Sequence, residues 1–254
     1  MDRLKDKVAV ITGGAGGIGR AAGALFAEEG ANVLLVDLNE NALKEAVSAI
    51  GSNRVSYFVA DVTRAADNRA MVECATERYG GVDVFLANAG IEGDVKPIVE
   101  YDEERFEQVL NVNVKGVFLG MKAVIPAMQA RGGGSIVITS SVAGVKGSPG
   151  VSAYVTSKHA VIGLMRTAAL ECAPLKIRVN TVNPSPVETE MMRRLEAGFM
   201  PGSADAAKAS LADTIPMKRY GTPDEIAKVM LFLASDDSIW VTGSVCMADG
   251  GFTT

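Results

Sequence analysis

The chain has 254 residues, 48% of them hydrophobic, with 25 basic and 30 acidic side chains and a net charge of -5. That length suits one large α/β domain better than two small ones, and the acidic balance offers no attraction to nucleic acid or anionic lipid. The three cysteines, Cys74, Cys172 and Cys246, form no C-x-x-C pair and His159 is the single histidine, which argues against a disulfide framework, a zinc-thiolate site and a zinc dehydrogenase.

The charged start, Met1 to Lys7, is followed by an apolar run too short for the core of a signal peptide. No stretch reads as the ~18 apolar residues of a membrane span. A soluble, cytoplasmic protein with no metal site is expected. Along the chain, short apolar β-branched runs predict strands at Val8–Thr12, Val33–Asp37, Val55–Val59, Val82–Ala87, Ile136–Ser140, Ile177–Val182 and Ser244–Met247. They are nearly continuously apolar, as strands buried on both faces should be. Helical patterns fall between them, at Gly17–Glu29, Glu40–Ile50, Asp67–Tyr79, Glu103–Ala130, Ala153–Cys172 and Pro223–Ser235. Thr222-Pro223-Asp224-Glu225 supplies an N-cap, a proline at the first helical position and acids in the first turn. This alternation predicts a single Rossmann-type, doubly wound parallel sheet of about seven strands with helices on both faces. Only Ser185 to Tyr220 breaks the rhythm, and its length without a strand predicts a binding flap.

The first strand runs into Thr12-Gly13-Gly14-Ala15-Gly16-Gly17-Ile18-Gly19-Arg20 and then a helix. Glycines let a backbone turn tightly and approach a pyrophosphate held at the helix N-terminus. The next strand ends in Asp37, which can accept bonds from both adenosine ribose hydroxyls and would repel a 2′-phosphate. No basic residue stands at Gly16 or Leu38 to welcome one. NAD is therefore expected in preference to NADP. Further on, Tyr154 and Lys158 are four residues apart, on one face of a helix. An ammonium beside a phenol lowers its pKa, and a phenol tuned toward neutrality can exchange a proton with a carbonyl or alcohol oxygen. His159, next to this pair, reads as a helix-packing residue.

With these residues assembled, the chain resembles the short-chain dehydrogenase/reductase family in its compact form, over essentially its whole length. The likeness is carried by Thr12 to Gly19, Asp61-Val62, Ala87-Asn88-Ala89-Gly90, Asn111-Val112-Asn113, Ser140-Ser141, Tyr154-x-x-x-Lys158 and Asn183-Pro184 through Val187 to Thr189. The resemblance implies that Tyr154 is the general acid/base and that Lys158 lowers its pKa and bonds the nicotinamide ribose. It implies that Ser141 bonds the substrate oxygen and that Asn113 holds a water passing protons onward from Lys158. It places Asp61 and Val62 at the adenine and the 184–189 loop over the nicotinamide, with Asn88, Ala89 and Gly90 also at the cofactor. It also implies a homotetramer. Ala87 stands where the family has asparagine, and Ser185 where it usually has glycine. Val142, Val145, Met191, Met192, Leu195 and Phe199 are candidates to line an apolar pocket. The expected substrate is a neutral, fairly apolar secondary alcohol or ketone, cyclic ones included. Reduction of a 3-oxoacyl thioester, oxidation of a sugar, and a non-catalytic NAD-binding regulatory role are the alternatives.

Overall fold

The computed structural model describes residues 2–254. Seven parallel strands form one sheet in the order β3-β2-β1-β4-β5-β6-β7. They are β1 Val8–Thr12, β2 Asn32–Asp37, β3 Val55–Val59, β4 Val84–Ala87, β5 Gly134–Thr139, β6 Ile177–Pro184 and β7 Val245–Ala248. The order reverses between β1 and β4, which pair through Ala9–Val84, Val10–Phe85 and Ile11–Leu86. A crevice opens beyond the carboxyl ends of strands at such a switch point.

Helices cover both faces because alternate residues of each central strand point to opposite sides. Val8, Val10, Leu34, Phe85 and Ile136 pack with Met71 of α3 (Ala65–Tyr79), Met121 and Val124 of α5 (Gly116–Ala130), and Val161 and Met165 of α6 (Ser152–Cys172). Ala9, Ile11, Val33, Leu35 and Leu86 pack on the other side with Phe26 of α1 (Gly17–Glu28), Leu43 of α2 (Glu40–Ile50) and Met230 and Leu231 of α9 (Pro223–Ala234). Local signals set the helix ends. The Asn39 side chain caps α2, and Gly51 closes it at φ 65°. Thr222 and Glu225 form a reciprocal capping box on α9.

Three expectations need correction. β3 is an edge strand rather than one buried on both faces: only Val55 is buried, and Val59 is 43% exposed. Nor is β7, at the other edge, fully buried. The helix expected over 103–130 is instead α4 (Glu103–Leu110), one π turn (Asn111–Lys115) and α5, with the Gly116 N–H reaching back to the Asn111 carbonyl. The combined run, Glu103–Ala130, is long and apolar enough to cross a membrane by length and composition, contrary to the sequence reading. Its apolar residues Val117, Met121, Val124 and Met128 are buried in the core, the position of a sheet-covering helix. The interval after β6 holds two helices, α7 (Glu190–Phe199) and α8 (Ala204–Thr214), tied at its base by a bridge between Val187 and Gly221.

Asp83, just before β4, joins several elements. Its carboxylate accepts the Val8 N–H (2.8 Å) and the Arg131 guanidinium (3.1 and 3.2 Å), while its carbonyl accepts the Ser135 N–H. Asp83→Ala strands a buried amide donor and frees the arginine, so it should cost about 2–3 kcal/mol in urea unfolding. A loss under ~1 kcal/mol would contradict this view of the joint.

Candidate active site

The carboxyl ends of β1, β4 and β5 are stitched by polar side chains. The Thr12 hydroxyl accepts the N–H groups of Asn88 (3.0 Å) and Ala89 (3.1 Å) and donates to the Leu86 carbonyl. The Asn88 amide donates to the carbonyls of Thr12 and Gly13, and its oxygen accepts the Thr139 hydroxyl. The Thr139 carbonyl then takes the Lys158 ammonium at 2.8 Å. The structure thus links the glycine loop to the lysine through Thr12, which the sequence marks only as the start of the glycine motif, and through Thr139, which sequence reasoning passed over. Each hydroxyl closes an apolar run at the carboxyl end of its strand, Val8–Ile11 before Thr12 and Ile136–Ile138 before Thr139, which was the available signal.

Lys158 is 5% exposed. Its Nζ lies 5.3 Å from the centre of the Tyr154 ring. Burial pulls its pKa down to about 8. Burial pushes the Tyr154 phenol up to about 12, opposed by a hydrogen bond with Ser141 and reinforced by the negative charge of Glu92. The expected lowering of the phenol by its lysine is therefore not what this arrangement produces, because desolvation penalises both charged forms. The Ser141 hydroxyl accepts the Ala143 N–H (3.1 Å), and its carbonyl accepts the Asn183 amide (2.9 Å).

Asn113 lies on the π turn and is 1% exposed. Its oxygen accepts the Ile91 N–H at 2.8 Å, and its amide donates to the Ile91 carbonyl and to Ser157 Oγ. Ser157 Oγ donates to the Tyr154 carbonyl. The asparagine side chain thus fastens a loop to α6, and a water bound here would have to use other atoms. Ser157 was not anticipated. His159 is exposed, its ring nitrogen against the Val155 carbonyl, so it is a surface residue rather than a packing one.

The crevice can accept a dinucleotide. α1 begins with no side-chain cap, leaving its first N–H groups for an anion. Close backbone approach is built in: a Cβ on Gly19 would sit 2.2 Å from the Gly13 carbonyl oxygen, and one on Gly13 (φ 64°) would sit 2.9 Å from Ala89 Cα. Gly17 faces Thr189, whose Cγ2 would lie 3.3 Å from an added Cβ, so the 184–189 loop reaches the start of α1 beside Ile18. Asp37 is oriented by the N–H groups of Leu38 (2.8 Å) and Ala15 (3.3 Å), and Leu38 is 66% exposed beyond it. Asp61 Oδ1 is occupied by the Thr63 N–H and hydroxyl, and Val62 packs beside Gly116. Gly90 lies beside Asn113 and Lys158, its added Cβ 3.6 Å from Nζ.

Among the pocket candidates, Val142 and Leu195 are buried, Met191, Met192 and Phe199 are partly exposed, and Val145 is exposed. Sequence reasoning missed Glu92 and Arg194, an ion pair joining the loop after β4 to α7. Ser185 is buried and is not among the positive-φ residues, so a serine fits there without strain. Ala87 borders a void of about 10 Å³ lined by Thr12, Phe85, Val112 and Val117.

A family model described as enoyl-(acyl carrier protein) reductase matches residues 13–253. A 3-oxoacyl-[acyl-carrier-protein] reductase of Thermotoga maritima is 43% identical over 253 residues, covering 98% of each chain. Levodione reductase of Leifsonia aquatica is 38% identical over 98% of this chain and 95% of its own, and a crystal structure of levodione reductase superposes with TM-score 0.95 over 98% of both chains. A structure of NAD⁺-bound xylitol dehydrogenase gives 0.93 at 36% identity, covering 98% of this chain and 99% of that one. The chain belongs to the short-chain dehydrogenase/reductase family. It is an oxidoreductase acting on CH–OH donors.

The lowered Lys158 pKa has a stability consequence. The folded state gives up the lysine proton near pH 8 and the unfolded chain near 10.5. Below pH 8 the buried ammonium opposes folding by roughly 3 kcal/mol, and that cost vanishes as pH rises through 10.5. Lys158→Met should therefore raise the melting temperature at pH 7, with the gain shrinking between pH 8 and 10.5. A lower melting temperature at pH 7 would refute the sign.

Proposed function

We propose that the protein is an NAD-dependent dehydrogenase that interconverts a neutral, fairly apolar secondary alcohol and its ketone. The observation that carries this reading is the convergence of Tyr154, Ser141 and Lys158 at the switch-point crevice, with Asp37 at its far end. A bound nicotinamide would accept hydride from the carbinol carbon or return it. The Ser141 hydroxyl holds the substrate oxygen and stabilises charge developing there. Tyr154 exchanges the proton at that oxygen. Lys158 balances the phenolate when it forms and bonds the nicotinamide ribose. Asn113 keeps the loop after β4 in place by holding the Ile91 backbone, and a water carrying protons outward from Lys158 would be held by neighbouring atoms. Asp37 takes the adenosine ribose hydroxyls, with the glycine loop at the pyrophosphate, Asp61 and Val62 at the adenine, and Pro184, Val187 and Thr189 over the nicotinamide.

The chain acts as one domain, 1–254, with 185–220 as its substrate flap. Val142, Val145, Met191 and Met192 line an apolar pocket. We assign it to the cytoplasm and to a homotetramer, for which the exposed Ile239 and Trp240 supply apolar surface. Reduction of a 3-oxoacyl thioester is the second reading, favoured by the Thermotoga relative. Asp37, with no basic residue at Gly16 or Leu38, weighs against the NADPH such reductases usually take.

The test is nicotinamide absorbance across cyclic, aliphatic and aromatic secondary alcohols and sugars with NAD⁺, alongside a 3-oxoacyl thioester with NADH and NADPH. Turnover of an alcohol group with NAD⁺ supports the reading; activity on the thioester with NADPH alone sinks it. With the phenol at about 12, its proton is held at neutral pH, so alcohol oxidation should rise with pH into the alkaline range. Tyr154→Phe should lower kcat by about 10²–10⁴-fold and leave NADH binding, read by fluorescence titration, near wild type. Retained turnover would remove Tyr154 from the reaction.

Exchanging Asp37→Ala together with Leu38→Arg should swing the kcat/KM ratio toward NADP by at least about tenfold. A wild type that already prefers NADP would refute the cofactor assignment.

A further inference from the structure

Glu92 is a buried carboxylate with no part in the proton transfer or cofactor binding proposed above. It is 8% exposed, in the loop that leaves β4. The loop is tied to its neighbours on several sides. Both faces of the Asn113 amide hold the Ile91 backbone, the Asp94 N–H donates to the Tyr101 hydroxyl (3.0 Å), and the Lys96 N–H donates to the Gly150 carbonyl (2.8 Å). The last bond ends one residue before Val151, the N-cap of α6, whose first turn carries Tyr154.

Into this fixed loop comes α7. Arg194 Nε meets Glu92 Oε1 at 2.5 Å and its second nitrogen meets Oε2 at 3.4 Å. One turn further on, Gly198 is pressed so closely on Val95 that an added Cβ would lie 2.6 Å from its Cγ2. The Glu92 side chain is 10% exposed and that of Arg194 59%, so the guanidinium caps a buried carboxylate from the solvent side, and its removal would leave that carboxylate desolvated without its counter-charge. Glu92 also acts on the Tyr154 phenol, whose proton its charge helps retain.

We propose that Glu92 is a positioning residue for the reaction: through Arg194 it fastens the flap helix α7 to the loop after β4 and so completes the substrate pocket. This rests on the reading of 185–220 as the substrate flap. The groups facing the phenol are Lys158 from its own helix, Ser141 from the end of β5, and Glu92, paired with Arg194, from the loop and the flap. Removing the Glu92 charge makes the phenolate easier to form, and removing Arg194 leaves that charge uncompensated and makes it harder.

The experiment compares Glu92→Gln, Arg194→Gln and the double variant with wild type, using the alcohol that the panel identifies. Each single change is expected to raise KM by about tenfold with a smaller change in kcat at the pH optimum, and the double variant should be no worse than the poorer single one. The ascending limb of the oxidation profile should move to lower pH in Glu92→Gln and to higher pH in Arg194→Gln, opposite shifts that a merely structural contact would not give. Hydrogen exchange, which needs no substrate, should accelerate in residues 190–199 of all three variants while the β1 and β5 amides keep their protection. Unchanged KM and unchanged exchange would overturn the proposal, as would equal shifts of both pH limbs. If no alcohol is turned over by wild type, the dehydrogenase reading fails, and the exchange of α7 still decides whether the ion pair holds the flap.

Discussion

The hydrogen bond from the Lys158 ammonium to the Thr139 carbonyl depends on every element near it being in place. Thr139 is held by Asn88, Asn88 by Thr12 and the glycine loop, and the loop by the turn from β1 into α1. Each bond is short in space and long in sequence, so the crevice forms only when β1, β4 and β5 are in register. The ammonium is largely removed from solvent, and the Thr139 carbonyl takes over part of its hydration. Burial at this price in stability makes sense where a charge is needed next to a phenol. The same low-dielectric surroundings explain why both groups drift toward their neutral forms.

Much of this was visible in the sequence because its signals are local. β1, β3 and α2 occupy the spans their patterns predict, since apolar runs and caps are properties of a few consecutive residues. The glycine loop, Asp37 and the Tyr154–Lys158 spacing are likewise local, and the structure brings them to one edge of one sheet. What stayed hidden depends on partners distant in the chain. The edge position of β3 is set by strand order, which no run of five residues encodes. The Glu92–Arg194 pair spans 102 positions, and neither residue stands in a pattern that names the other. The upward push on the Tyr154 phenol comes from the loss of solvent around it, which spacing does not reveal, whereas spacing does reveal a neighbour's charge.

The flap shows the same division. Its lack of a strand was legible, and its helices follow from Thr189 as an N-cap and an alanine-rich second segment. Its internal bonding was not. Arg193 bridges Glu196 and Asp205, and Lys208 meets Glu188 while lying over the Tyr220 ring. These contacts make α7 and α8 a coherent piece, able to be carried as a unit by whatever anchors it.

The π turn at Asn111–Lys115 separates α4, which packs on α6, from α5, which packs on α3. One surplus residue in an α-helix rotates everything beyond it by about 100°, so the two segments present their apolar stripes to different neighbours while Asn113 is directed inward. The orientation of that asparagine is thus encoded by a count of residues rather than by their identity. Losing a single residue from the turn would straighten the helix and put one of its two halves out of phase with its neighbours.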